Sequence, residues 1–94
     1  MKLIIAIVLP DDVDAIIKAL IAHDFPAPTR INTVGGFLRK GNATLLLATE
    51  TERVDEALSI MRTNVRPREM TGAQRSASFR GAAFVLPLDR FLTV

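Results

Sequence analysis

The sequence contains no cysteine, tryptophan or tyrosine, and only one histidine. Without cysteine there can be neither a disulfide framework nor a thiolate metal site, which fits a reducing compartment such as the cytoplasm. Phenylalanine, present five times, is the only aromatic residue type. Few side chains are therefore available for the bases of a nucleic-acid polymer to stack on, and we expect no such polymer as a partner.

Residues suited to acid–base or metal chemistry are also sparse. His23 and Asp24 stand together at the predicted end of a helix, where a positive imidazole is stabilised by the helix C-terminus. Asp11, Asp12 and Asp14 could ligate a hard cation, but they fit the first turn of a helix at least as well. The chain has no phosphate-binding glycine loop and no nucleophile elbow. It gives no support for an enzyme, a cofactor or a metal site.

No hydrophobic run is long enough to span a bilayer. The apolar opening stops at Pro10 and Asp11 and lacks a cleavage pattern of small residues, so it predicts a buried first strand and not a signal peptide. We therefore expect a cytoplasmic protein without membrane contacts. Its 94 residues, 49% hydrophobic and 23% charged, predict a single folded domain over residues 1–94.

The net charge is only +2, but residues 62–90 hold six arginines and two acidic residues. The arginines are Arg62, Arg66, Arg68, Arg75, Arg80 and Arg90. Because the guanidinium fork suits phosphate, a phosphate-bearing ligand is one interpretation of this segment. A solvated arginine-rich loop is the other.

Hydrophobic periodicity and turn residues predict the element order β-α-β-β-α-β. The predicted strands are Leu3–Leu9, about Thr29–Val34, Ala43–Thr49 and Ala77–Leu86, with a turn at Lys40-Gly41-Asn42, a loop at Arg66–Arg75 and a tail at Leu88–Val94 after Pro87. The first predicted helix has an apolar stripe of Val13, Ile16, Ile17, Leu20 and Ile21, and the second a stripe of Val54, Ala57, Leu58, Met61 and Val65. Asp11 or Asp12 is expected to cap the first helix, and Thr49 with Glu52 to form a capping box for the second.

This order predicts an α+β, ferredoxin-like fold in which both helices lie on one face of a four-stranded antiparallel sheet. The first strand is apolar at every position, so both of its faces need cover. Soluble monomers rarely expose a large apolar patch. We therefore expect another copy of the chain to cover the face that the helices leave bare.

The run from Thr33 to Asn42 combines two adjacent glycines, a phenylalanine, a basic pair and a Gly-Asn turn. Glycine pairs occur where a backbone turns sharply or approaches another group closely. On spacing alone, a glycine-bent hairpin connection is the favoured interpretation. The floor of a site for a flat ligand is the alternative.

Together with the opening Met1–Val8 and the ending Gly81–Phe91, the stretch Gly35–Thr44 resembles the PII-like cyclic di-AMP receptor family over nearly the whole chain. The resemblance implies a homotrimeric signal-transduction protein of ferredoxin-like fold. It would bind cyclic di-AMP, or a related adenine nucleotide, in the clefts between subunits. It would act on an unidentified protein target through a loop between the second helix and the last strand.

The resemblance also implies a set of ligand-binding positions. These are Thr29, Gly36, Phe37, Leu38, Asn42, Ala48 and Phe84. Thr29 and Asn42 fall on polar ligand contacts, and Phe37 and Leu38 on the lining of the adenine pocket. Gly36 falls where the backbone approaches closely, and Phe84 on an aromatic residue of the last core strand.

Three features depart from the family pattern. Pro26 follows Phe25 where an arginine is usual, Ala48 replaces a glycine late in the third strand, and the mobile loop is reduced to roughly residues 66–75. A methyl group at position 48 can crowd a tight base pocket. These departures leave open a second hypothesis, a structural or interaction trimer that kept the scaffold and lost the ligand.

Overall fold

The structure is a computed structural model, and it describes residues 1–33, 42–65 and 81–94. Its strands are β1 (Lys2–Val8), β2 (Thr29–Thr33), β3 (Asn42–Thr49) and β4 (Ala82–Pro87), and its helices are α1 (Pro10–Ala22) and α2 (Val54–Thr63). A short 3-10 turn, Thr51–Arg53, precedes α2. The predicted loop at Arg66–Arg75, the turn residues Lys40 and Gly41 and the start of the last predicted strand lie outside the described residues.

The four strands form one sheet in the order β2-β3-β1-β4. Every neighbouring pair is antiparallel: β1 with β3, β1 with β4, and β2 with β3. The two edge strands are therefore β2 and β4. This is the ferredoxin-like α+β arrangement that the element order predicts, and that prediction is confirmed.

The core lies on one side of the sheet. Alternate residues of β1 are buried there, and their partners on β3 are buried with them, because directly opposed residues of an antiparallel pair share a face. The buried apolar residues of the sheet are Ile4, Ala6, Val8, Ala43, Leu45 and Leu47, and those of the helices are Val13, Ile16, Leu20, Ala57, Ile60 and Met61. Each large aliphatic side chain here contributes about 1.5–3 kcal/mol by leaving water. Both predicted helical stripes thus face the core, except that Ile21 at the edge of its stripe is 51% exposed.

Both predictions of helix capping are wrong. α1 begins at Pro10 with Leu9 in the N-cap position, and no side chain caps it, so Asp11 and Asp12 instead lie in the first turn. Proline suits this position because its φ is already helical and it has no N–H to leave unpaired. The Thr49–Glu52 capping box fails because the 3-10 turn intervenes and leaves no side-chain cap on α2.

Three strands also differ from the prediction at their ends: the sequence predicts the first over Leu3–Leu9, but β1 spans Lys2–Val8, because Leu9 is the N-cap residue of α1. Asn42 begins β3 and is not part of the turn, and Pro87 is the last residue of β4 and not a break after it. Proline is tolerated there because β4 is an edge strand, which does not need every N–H for a second neighbour. At the other end of β4, Gly81 has φ 154°, and an added Cβ would lie 3.0 Å from the carbonyl oxygen of Ile7.

α1 ends as predicted at His23 and Asp24, in a Schellman motif. The N–H of Asp24 donates to the carbonyl of Ile21 at 3.1 Å, and the N–H of Phe25 donates to that of Leu20 at 2.9 Å. Asp24 adopts the left-handed φ of 65° that this motif requires. His23 adds a further bond, because its Nδ1–H donates to the carbonyl of Ala19 at 2.8 Å. In the described part of the chain, no helix is both long and apolar enough to cross a membrane.

The left-handed residue at the end of α1 gives a stability prediction. Replacing Asp24 by glycine removes the steric cost that a Cβ carries at φ 65°. We expect Asp24→Gly to raise the free energy of unfolding by about 0.5–1 kcal/mol, measured by denaturant unfolding at fixed protein concentration. Asp24→Ala is the matched control, because it also removes the carboxylate but keeps the Cβ. Equal stability of the two variants would contradict the backbone explanation.

Candidate functional site

The sheet has a second face that the described helices do not cover, here called the open face. Strand alternation and the register assign its members. They are Leu3, Ile5 and Ile7 on β1, Thr29, Ile31 and Thr33 on β2, Asn42, Thr44, Leu46 and Ala48 on β3, and Ala82, Phe84 and Leu86 on β4. β1 is therefore apolar on both faces, as its sequence predicts.

The open face contains every predicted ligand-binding residue that the structure describes. These are Thr29, Asn42, Ala48 and Phe84, contributed by three different strands. Asn42 and Ala48 share a face because an even number of residues separates them on β3, whereas the agreement of Thr29 and Phe84 with them depends on the register between strands. Gly36, Phe37 and Leu38 lie outside the described residues.

One row of side chains crosses the whole sheet. The register places Phe84 opposite Ile5, Ile5 opposite Leu46, and Leu46 opposite Thr29. Three strand spacings separate the two ends of this row, a distance of about 14 Å. Ala48 lies two residues beyond Leu46 on β3, so it is the diagonal neighbour of Thr29.

The open face has a polar end and an apolar end. At the polar end, the hydroxyl groups of Thr33 and Thr44 form a 2.9 Å hydrogen bond, and Asn42 lies directly opposite Thr33. Asn42 is only 4% exposed. At the apolar end, Leu3 is flanked by Leu86 on β4 and Ala48 on β3.

Phe84, which the resemblance places on an aromatic residue of the last core strand, lies on the open face of β4. Its side chain is 43% exposed on the open face, and Leu86 on the same face is 41% exposed. The reason is that β4 is an edge strand and that the register points Phe84 away from the helices. Within the chain as described, Phe84 is a surface residue of the open face and not part of the core.

Several open-face residues were not identified from the sequence. The Thr33–Thr44 hydroxyl pair and Ile31 share this face with the predicted site residues. A two-residue step along β3 from Asn42 leads to Thr44, Leu46 and Ala48, so strand alternation was the pattern that could have found them. The alternation could not be applied across β2 and β3 without knowing their register.

β2 carries one arginine, and it does not lie on the open face. Arg30 lies on the opposite face of β2, where its Nε donates to Asn32 Oδ1 at 3.2 Å. Arg66, Arg68, Arg75 and Arg80 lie outside the described residues. Among the residues that are described, no group of three or more acidic or histidine side chains could hold a metal ion.

Arg53 lies on the helix side, beside the end of α1. A hydrogen bond to Glu56 raises the pKa of its guanidinium, burial opposes this, and the negative charges of Glu56, Glu50 and Asp24 raise it further. The side chain is therefore a permanent cation. Its contacts hold the chain segment that leads into β2, and thus the start of the strand that carries Thr29.

The open face as a whole combines an apolar surface with a few polar groups at its border. The row of side chains that crosses the sheet, here called the central row, includes Phe84, Ile5 and Leu46. A flat heterocycle could lie on these side chains, while hydroxyl and amide groups bind its polar edge. Nothing in the described residues supplies a nucleophile beside a base on this face. The arrangement is suited to binding a flat ligand with a polar edge.

Comparisons with known proteins agree on the kind of protein this is. A family model described as cyclic-di-AMP receptor matches residues 1–87. A protein named "Nitrogen fixation nifHD region GlnB-like protein 1", from Methanothermococcus thermolithotrophicus, is 37% identical over 76 residues, which cover 68% of this chain and 72% of the relative.

The fold comparison covers almost the entire chain. The crystal structure of a functionally unknown protein from Pediococcus pentosaceus matches with a TM-score of 0.77 and 32% sequence identity, over 99% of this chain and 96% of that one. Because the family model spans the helices, the sheet and the open face together, the match concerns the whole domain and not one motif. The chain belongs to the PII-like cyclic-di-AMP receptor family.

Proposed function

We propose that this protein binds cyclic di-AMP, or a related adenine nucleotide, against the open face, in clefts between the subunits of a homotrimer. Binding would be passed on by contact with a target protein and not by catalysis. The observation that carries the proposal is that Thr29, Asn42, Ala48 and Phe84 share the one sheet face that the described helices leave uncovered. Membership of the receptor family supports the choice of ligand.

The chemistry of adenine fits the open face. Its ring faces are flat and can pack on the central row, in which Ile5 and Leu46 are aliphatic and Phe84 is aromatic. Its edge carries hydrogen-bond donors and acceptors, and an asparagine amide can bind adenine through two hydrogen bonds. We therefore assign Asn42 to the edge of a base and Thr29 to a single hydroxyl contact.

The subunit arrangement follows from the same surface. Leu86, Phe84 and Ile31 are each more than 40% exposed, although all three are large and apolar. Three copies related by a closed rotation can bury these side chains against one another, and each junction then forms a cleft with residues from two chains. In this proposal the ligand site is complete only in the oligomer.

The first prediction concerns the ligand. A melting-temperature screen against cyclic di-AMP, cyclic di-GMP, ATP, ADP and AMP should show stabilisation by at least one adenine nucleotide. At a ligand concentration about a hundred-fold above the dissociation constant, the stabilisation should reach about 2.7 kcal/mol per site. Cyclic di-GMP serves as the control for a cyclic dinucleotide without adenine. An intact trimer that responds to no adenine nucleotide would favour the ligand-free scaffold instead.

The second prediction concerns two contact residues. Thr29→Val removes a hydroxyl and keeps the branched shape, and Asn42→Ala removes an amide. Thr29→Val should weaken the binding of cyclic di-AMP about three- to tenfold, the value of one hydrogen bond. Asn42→Ala should weaken it more than Thr29→Val does, because it removes both hydrogen bonds of the amide, and the trimer should stay intact in both variants. Isothermal titration calorimetry and light scattering measure the two properties separately.

The matched control for this pair is Asn32→Ala. Asn32 is an exposed residue of β2 whose register points it to the helix side of the sheet, so its loss should leave the affinity unchanged. Unchanged affinity in both Thr29→Val and Asn42→Ala would show that the binding site lies elsewhere. An equal loss in the Asn32 control would show an effect on the sheet and not on the site.

The third prediction concerns assembly. In a monomer, the exposed Leu86 would tolerate a charge, whereas in the proposed trimer Leu86→Glu would bury an unpaired carboxylate. We expect the parent to sediment as a trimer and Leu86→Glu to dissociate at micromolar concentration. Ile21→Glu, at an apolar residue of α1 that is 51% exposed against 41% for Leu86, should remain trimeric. A monomeric parent, or a Leu86→Glu variant that stays trimeric, would contradict the proposed interface.

A further inference from the structure

Arg53 connects two elements that are far apart in the sequence. Its Nη2 donates to the carbonyl of His23 at 2.8 Å, and its Nη1 donates to the carbonyl of Asp24 at 3.2 Å, residues that precede it by 30 and 29 positions. Its Nε donates to Glu56 Oε1 on α2 at 3.0 Å. All three guanidinium nitrogens are therefore engaged, two by the end of α1 and one by the start of α2.

The same guanidinium also covers an aromatic ring. Its central carbon lies 3.8 Å from the centroid of the Phe25 ring. Phe25 is 4% exposed and belongs to the core cluster. A cation is favoured both over a ring face and at the C-terminal end of a helix, where the last carbonyls are partly negative. Arg53 thus fixes three consecutive residues, His23, Asp24 and Phe25.

The four residues Phe25–Pro28, which lead from the end of α1 into β2, form a stiff connector. Phe25 and Ala27 each precede a proline, which restricts their backbone to extended conformations. Pro26 and Pro28 have φ fixed by their rings. With few adjustable dihedrals between Phe25 and Thr29, a change in the position of Phe25 is transmitted to Thr29 and is not absorbed on the way.

Thr29 is the first residue of β2 and lies on the open face, opposite Leu46. Among the described strands, β2 is an edge strand that pairs with β3 alone, so its first residue has sheet support on one side. The connector is the other constraint on its position. The contacts that hold Phe25 therefore also help to set the direction of the Thr29 hydroxyl.

We propose that Arg53 is a positioning residue of the ligand site: by holding the end of α1 and the Phe25 ring, it sets the start of β2 and so the Thr29 hydroxyl. This inference rests on the proposed binding of an adenine nucleotide at the open face. Arg53 itself lies on the helix side and does not touch the ligand. Its effect on affinity passes through Thr29.

The test is a double-mutant cycle between Arg53 and Thr29, read by calorimetric titration with cyclic di-AMP. The proteins are the parent, Arg53→Ala, Thr29→Val and the double variant, each checked for trimer content at a temperature where all are folded. Arg53→Ala should weaken binding about three- to tenfold in the parent, as the loss of one hydrogen bond does. In the Thr29→Val background it should weaken binding less than about twofold, because the contact it acts on is already gone.

Two further variants separate positioning from a general loss of stability. Arg53→Lys keeps a cation over Phe25 but loses the fork, so we expect it to recover part of the lost affinity. Glu56→Gln removes the charge of the ion pair and leaves the bonds to His23 and Asp24 in place, so its affinity should equal that of the parent. If Arg53→Ala does not fold, Arg53→Lys takes its place in the cycle.

The outcomes are distinguishable. An Arg53→Ala affinity equal to the parent, or an equal loss in both Thr29 backgrounds, would overturn the positioning role and leave the proposed binding function intact. A parent protein that binds no adenine nucleotide would overturn the binding function and the positioning role together. A loss of affinity on Arg53→Ala that occurs when Thr29 is present and not in the Thr29→Val background supports both the binding function and the positioning role.

Discussion

A four-stranded sheet with two helices can bury only one of its faces within a single chain, and the rest of this molecule follows from that limit. The residues of β1 that face the helices, Ile4, Ala6 and Val8, are buried. Those on the other side, Leu3, Ile5 and Ile7, are equally apolar but only partly buried. The cost of leaving such a surface in water is what favours contact with further copies. The proposed ligand site lies on the surface where those copies would meet.

The end of α1 joins the fold to that site. The Schellman motif ends the helix, and the Arg53 guanidinium binds the carbonyls of His23 and Asp24 just after it. Pro26 and Pro28 then lead the chain directly into β2. Each of these devices reduces the number of backbone conformations open to residues 23–28. A connector with glycine or serine in the same place would leave the start of β2 free to shift. The stability of the helix end and the geometry of Thr29 therefore depend on the same few contacts.

The element order, the core stripes and the two-sided apolar character of β1 could all be predicted from the sequence. They follow from hydrophobic periodicity, which reflects burial and is therefore insensitive to local detail. The capping predictions failed because Asp12 and Thr49 match common short patterns, whereas Pro10 and the 3-10 turn decide where these helices begin. The residues of the candidate site could be proposed from the sequence. That Thr29 and Phe84 lie on the same face could not, because this depends on the register across all four strands. The contacts of Arg53 join segments thirty residues apart, and no local pattern indicates such a pair.

Two of the departures from the family pattern lie around one corner of the open face. Ala48 is the diagonal neighbour of Thr29, and Pro26 belongs to the connector that leads to it. The polar end, with Asn42 beside the Thr33–Thr44 pair, lies several residues away along β3. A scaffold that had lost its ligand would be free to change at both ends. We propose that the changes at Ala48 and Pro26 instead alter the shape of the proposed pocket at the Thr29 end, where the added methyl group lies beside the hydroxyl that the connector positions.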